Sequence, residues 1–333
     1  MSGGCPDAGY ELAGSHGSGG GCAADGSMVP RAGVAVRRLG PFAPVDVATL
    51  LYLAAATIAV LVSYRGNVPG GGWLFVAHGL VFAVVLLAPR AREAGPVGRF
   101  CGDWYAMFLL PALYGEIGVL TLDAGFQNDW WIQRLEVWVF GSEVSYNWIR
   151  EMPNVALSWI LHVCYLAYYP ILWSSPFGLW LLGRRDAARD TIFAVVVTFY
   201  LCYLAFLFFP VAGPRYAFDL AHNAATNIAP ARWAQWLLDR GDSWGAAFPS
   251  SHVAASVVAA GMALRYCRPL GLVLLPLTVG LLLSVVYGQF HYGVDALSGL
   301  VLGGAMLATM RWIKAPAAAE PAVAGGGVLE ASR

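Results

Sequence analysis

Residues 248–299 read FPSSHVAASVVAAGMALRYCRPLGLVLLPLTVGLLLSVVYGQFHYGVDALSG, and this stretch decides the fold. A Pro-Ser-Ser-His turn opens one apolar run, Arg265 and Arg268 interrupt it, a second apolar run follows, and His291 opens a third. A helix needs about 20 apolar residues to cross a bilayer, and each run comes near that length. The chain between His252 and His291 is just long enough to pass through a membrane and return. The spacing therefore predicts that both histidines lie at one membrane face.

The rest of the chain follows the same pattern. Of 333 residues, 58% are hydrophobic and 12% charged, against about 25% charged in soluble domains. With a mean hydropathy of +0.61, the chain reads as an all-α, polytopic transmembrane bundle. Apolar runs place about eight spans near 46–64, 72–89, 103–122, 155–180, 191–210, 250–266, 270–288 and 292–312. Pro170 and Pro176 predict a kink in the fourth. A formal net charge of +0 argues against a nucleic-acid partner. The 6 cysteines are scattered, with neither zinc-ligand spacing nor a disulfide framework.

Four regions are expected: a disordered, Gly/Ala/Ser-rich cytoplasmic tail at 1–42 (within which Met28 offers a second start), two transmembrane helices at 43–99, a membrane domain at 100–313, and a second disordered tail at 314–333. Most of the 20 Lys and Arg residues fall in the loops and ends shared with the termini. The positive-inside rule then puts both termini in the cytoplasm, in a plasma or inner membrane, and the two histidine motifs outside. Residues 128–154 and 229–240 mix tryptophans with charges and read as interfacial amphipathic helices on that outer side, as a structural belt or as the wall of a lipid site.

The candidate chemistry lies in three short motifs. His291 and Asp295 are four residues apart, one helical turn, so a carboxylate there can take a proton from one imidazole nitrogen and leave the other free to attack. Ser250 and Ser251 open a helix whose N-terminal amides suit a phosphate, and His252 in that first turn suits a general acid. Arg215, in Gly213-Pro214-Arg215-Tyr216, carries a planar fork of donors matched to phosphate oxygens. Each motif has a plain structural explanation alone: a satisfied pair, a helix cap, a snorkelling arginine. Together, at one end of the bundle, they point to an enzyme acting on a lipid phosphate, since polar groups within membrane segments are costly and usually functional. Among the other polar residues, His78 and His162 are expected in helix–helix hydrogen bonds, Glu116 in an ion pair with an outer arginine or else lining the headgroup pocket, and Gly261, Gly299, Gly303 and Gly304 at close helix contacts.

These motifs resemble those of the type 2 phosphatidic acid phosphatase superfamily over about residues 100–312. The Gly-Pro-Arg and Phe-Pro-Ser-x-His forms, with Phe140-Gly141 and the Tyr165–Pro170 stretch, are most similar to its inositol phosphorylceramide synthase-like branch. The resemblance implies a phosphohistidine on His291, orientation by Asp295, proton transfer by His252, and phosphate binding by Arg215, Ser250 and Ser251. It implies no metal or other cofactor. The substrate would be a lipid phosphate or phospholipid, either hydrolysed or, as in an inositolphosphotransferase, passed to a small alcohol such as inositol. Phe208 and Val285 stand where many members carry cations, and Tyr216, Tyr287, Gln289 and Tyr292 are the candidates to compensate. The alternative class is a non-catalytic lipid-binding or transport protein, although the two halves show no transporter-like repeat.

Overall fold

The computed structural model describes residues 41–63, 71–121 and 125–313. The expected tails lie outside the described residues except for Pro41 and Phe42. The described residues form helices and no strand. In chain order these are α1 (Pro44–Ser63), α2 (Gly71–Glu93), α3 (Gly95–Thr121), α4 (Gln127–Phe140), α5 (Val144–Glu151), α6 (Val155–Leu166), α7 (Tyr168–Leu181), α8 (Arg185–Phe208), α9 (Pro214–Ala217), α10 (Ala229–Gly241), α11 (Ser251–Tyr266), α12 (Arg268–Tyr287) and α13 (Gly293–Ile313).

Six of these, α1, α2, α3, α8, α12 and α13, are long and apolar enough to cross a membrane, and α6 and α7 reach that length and apolarity only as a pair, bent by 43°. The bend lies at Ala167, ahead of Pro170. Pro170 lacks an N–H and its ring clashes with the carbonyl four residues back, which belongs to Leu166, the last residue of α6. The span expected at 250–266, α11, is only 16 residues long and falls short of a full crossing by length alone. It forms the centre of the bundle, packed by α7, α8, α12 and α13.

Small side chains make that position possible. Ala254, Ala255, Ser256, Ala259, Ala260 and Ala263 of α11 are all buried. On α13, a Cβ at Gly299 would come within 2.4 Å of the Ser250 carbonyl oxygen, and one at Gly303 within 2.8 Å of the Ala254 carbonyl oxygen. The two helices therefore touch backbone to backbone, as small-residue seams allow. Gly261 meets Leu307, but Gly304 faces open space and takes no part in the seam.

At the end away from the histidines, buried ions join α1, α2, α3 and α8. The Arg92 guanidinium donates to both carboxylate oxygens of Asp46 at 2.6 and 2.7 Å and to Asp103 at 3.2 Å, while Arg189 reaches Asp103 at 2.9 Å. Within α1–α3, His78 bonds Glu116 and Thr57, each at 2.8 Å. Glu116 thus takes a histidine as its partner rather than an outer arginine. His162 bonds within its own helix, to Ser158, rather than across helices.

The short helices gather at the histidine end. On α4, Trp130, Trp131 and Trp138 are exposed while Asp129, Ile132 and Glu136 are buried. On α10, Trp233 and Trp236 are exposed and Ala231 and Ala234 buried. Aromatic residues facing outward from an amphipathic helix fit one lying against lipid headgroups.

Candidate active site

Backbone contacts bring the three motifs together. Val211, just after α8, pairs with the segment that leads into α11: its N–H donates to Gly245 O at 3.1 Å, and its carbonyl accepts from Ala247 N at 3.0 Å. This draws the arginine loop beside the Pro-Ser-Ser-His turn. Ser250 N donates to the Asp295 carbonyl at 3.0 Å, fixing the start of α11 to the first turn of α13.

His291 lies in the tight link between α12 and α13. Its N–H returns to Val285 O at 2.9 Å, and Gln289 takes a left-handed φ of 60° to make the turn. The ring is buried. Its Nδ1 lies 2.9 Å from the Ala247 carbonyl. A carbonyl can only accept, so Nδ1 carries the proton and Nε2 keeps its lone pair. Nε2 is directed at His252 Nδ1, 3.4 Å away. Burial pushes the His291 imidazole down to about 4, opposed in part by the charge of Asp242 and by the Ala247 carbonyl. The ring is therefore neutral and nucleophilic near neutral pH.

Asp295 stands beside the His291 ring, one helical turn on, without a hydrogen bond to it. Its Oδ2 lies 3.6 Å from His291 Nδ1, outside hydrogen-bond distance. That oxygen instead accepts from Tyr292 N at 2.8 Å. The ring proton goes to Ala247, and Asp295 is left as a buried carboxylate beside the ring.

His252 sits in the first turn of α11 against the rings of Tyr168 and Tyr165, at centroid distances of 4.4 and 5.7 Å. Ser250 is the N-cap: its hydroxyl accepts from Val253 N at 3.4 Å. Ser251 is buried at the first helical position. That cap takes the Val253 amide, and the Ser251 and His252 amides before it have no acceptor within the helix and are available to an anion. Arg215 enters the same cleft as His252 and His291, but its guanidinium is held by Gln235 and Asp239 of α10.

The four compensating candidates divide. Tyr216 donates to Asp242, a residue of the cleft, at 3.1 Å. Tyr287 turns away to bond the Met152 carbonyl at 2.9 Å, Gln289 accepts from Ala221 N at 2.9 Å, and Tyr292 donates to Asp129 at 3.0 Å. These three hold loops and do not reach the cleft.

Sequence reading missed α4 as a splint. Asp129, nearly without exposure, accepts from Ala212 N at 2.9 Å, Gly213 N at 2.8 Å and the Tyr292 hydroxyl. One carboxylate thus ties the arginine loop to the residue after His291. Gln133, a turn later, donates to the Tyr292 hydroxyl at 3.0 Å. Glu136 accepts from Gly293 N at 3.2 Å and Ser145 N at 2.9 Å. Burial pushes both carboxyls up, and the N–H donors oppose it. The available signal was the pair Asp129 and Glu136, seven residues apart on a helix otherwise rich in tryptophan.

Beside His252 a cavity of about 610 Å³ opens, bounded by α3, α7, α8 and α10. Leu110, Leu172, Trp173 and Phe199 line it, and Ser251, His252 and Asp242 stand at its polar end. That volume and character suit an apolar chain whose polar head meets the histidines. Among the described residues, no group of three or more His, Cys, Asp and Glu side chains is placed to hold a metal ion.

A family model described as the PAP2 superfamily matches residues 130–309, from α4 through most of α13. No curated protein and no solved structure matches the chain.

Proposed function

The chain belongs to the PAP2 superfamily, and from that premise we propose that it is a membrane lipid-phosphate phosphatase or phosphotransferase working through a phosphohistidine on His291. The observation that carries this reading is the 3.4 Å approach of His291 Nε2 to His252 Nδ1, placed where an apolar cavity meets a helix N-terminus.

In the first step His291 Nε2 attacks phosphorus, the P–O bond to the lipid alcohol breaks, and His252 protonates the departing oxygen. In the second, His252 takes a proton from water or an alcohol, which attacks the phosphohistidine and frees Nε2. Water gives inorganic phosphate, and an alcohol gives a new phosphate ester. The developing charge would be met by Arg215, once released from Asp239, and by the first amides of α11. Fixed charge and dipoles of this kind do not call for a metal. The Gly-Pro-Arg and Phe-Pro-Ser-x-His motifs favour the inositol phosphorylceramide synthase-like branch, and with it transfer to an alcohol such as inositol. The distribution of Lys and Arg favours a site on the outer face.

The test uses purified wild type and His291→Ala in excess EDTA, with a panel of ³²P-labelled lipid phosphates and, separately, phospholipid plus inositol. Inorganic phosphate, new phospholipid and base-stable, acid-labile label on the protein are followed. The reading predicts label and product from wild type and neither from His291→Ala. Turnover by His291→Ala would remove the mechanism, and no turnover by folded wild type would favour a binding or transport protein.

A further inference from the structure

Asp242 is the charged group of this site that the phosphate chemistry leaves unused. It follows α10 and lines both the histidine cleft, with Arg215, His252 and His291, and the apolar cavity, with Ser251 and His252. It stands where the polar and apolar ends of a bound lipid would meet. Its sign is wrong for a phosphate ligand, because a carboxylate beside a phosphate raises the energy of the bound anion. Among the described residues no salt bridge neutralises it, and Arg215 pairs with Asp239 instead.

Its present partners are neutral donors. Tyr114 donates its hydroxyl to Oδ1 at 2.9 Å, Ser243 its N–H to Oδ1 at 3.0 Å, and Tyr216 its hydroxyl to Oδ2 at 3.1 Å. A carboxylate offers about four lone-pair positions, so Oδ2 can accept one more bond. Half-buried and without a cation, it is suited to a hydroxyl group.

We propose that Asp242 binds a neutral hydroxyl of the substrate, carried either on the lipid carbon beside the phosphoester or on the alcohol that receives the phosphoryl group. This rests on the lipid-phosphate reading above and adds a chemical requirement to it. Hydrogen bonds to a charged acceptor are the strong ones, so loss of this bond corresponds to about a 10- to 100-fold change in discrimination.

The experiment compares purified full-length wild type, Asp242→Asn and Tyr114→Phe. One arm measures kcat/KM for lysophosphatidic acid against its 2-deoxy analogue, which lacks the hydroxyl next to the phosphoester. The other supplies the deoxy lipid with glycerol or inositol and measures the ratio of transfer to hydrolysis. The proposal expects wild type to prefer the hydroxylated lipid, or to transfer to the alcohol, by tenfold or more. It expects Asp242→Asn to lose that ratio and Tyr114→Phe to keep it. The first arm marks the hydroxyl as the lipid's and the second as the acceptor's. Wild type that releases phosphate with neither preference overturns the proposal and leaves the lipid-phosphate reading standing. So does an Asp242→Asn that lowers all rates in proportion, or a Tyr114→Phe that loses the ratio as fully. Wild type that turns over no lipid phosphate overturns both.

Discussion

Gly299→Ala tests whether the backbone contact between α11 and α13 sets the distance between the two histidines. A Cβ at Gly299 would lie 2.4 Å from the Ser250 carbonyl oxygen and 3.1 Å from the Val253 Cβ. The first neighbour is backbone and cannot rotate away. To restore an ordinary contact, the helices must part by about 1 Å, an overpacking that typically costs about 1–3 kcal/mol. His252 rides on α11, and His291 immediately precedes α13. Displacement of reacting groups by about 1 Å can cost on the order of 100-fold in rate. Gly299→Ala should therefore fold with a lowered unfolding temperature and lose about that much phosphate release. Gly304→Ala supplies the comparison, because the same methyl five residues along meets nothing within 4 Å. It should keep full activity and gain about 0.5–1 kcal/mol, since alanine is favoured over glycine within a helix. The assays are lipid-phosphate turnover and thermal unfolding in detergent. A Gly299→Ala protein with the wild-type rate and unfolding temperature would show that the contact does not set the histidine geometry.

Other perturbations address the parts around it. Asp129→Asn leaves one acceptor oxygen for three donors, so at least one stays unpaired at a cost of about 1–3 kcal/mol. Turnover and stability should both fall, and unchanged values would remove α4 as the splint between the arginine and nucleophile loops. For pH, the folded state holds the His291 proton only below about 4, whereas an unfolded chain takes it up near 6.5. The unfolded state therefore binds more protons between those values, so this group's contribution to stability falls as pH drops from about 6.5 to about 4. Wild type should lose more stability than His291→Gln across that window, and equal losses would contradict a neutral, buried ring. Arg92→Met leaves Asp46 and Asp103 buried without their shared cation, and breaking a buried ion pair costs about 3–5 kcal/mol. A lowered unfolding temperature should show it, and an unchanged one would mean that Arg92 does not hold α1, α2 and α3 together.

The sequence by itself determined whatever depends on local chemistry. Apolar runs of membrane-crossing length placed most of the long helices, the prolines of the fourth run predicted its bend, and Ser250 capped α11 where serine before an apolar run should. Motif positions relative to span ends brought Arg215, His252 and His291 to one end of the bundle. The tertiary structure decided which atoms pair. Helical spacing pointed the His291 proton at Asp295, but the Ala247 carbonyl takes it. Arg215 is held by Asp239, 24 residues on, and the Asp129 carboxylate that splints the motif loops comes from α4, 83 residues before Ala212. Hydrogen-bond partners are chosen by distances of tenths of an ångström between segments remote in the chain. Periodicity fixes which face a residue occupies, and the neighbour across that face exists only once the helices have packed.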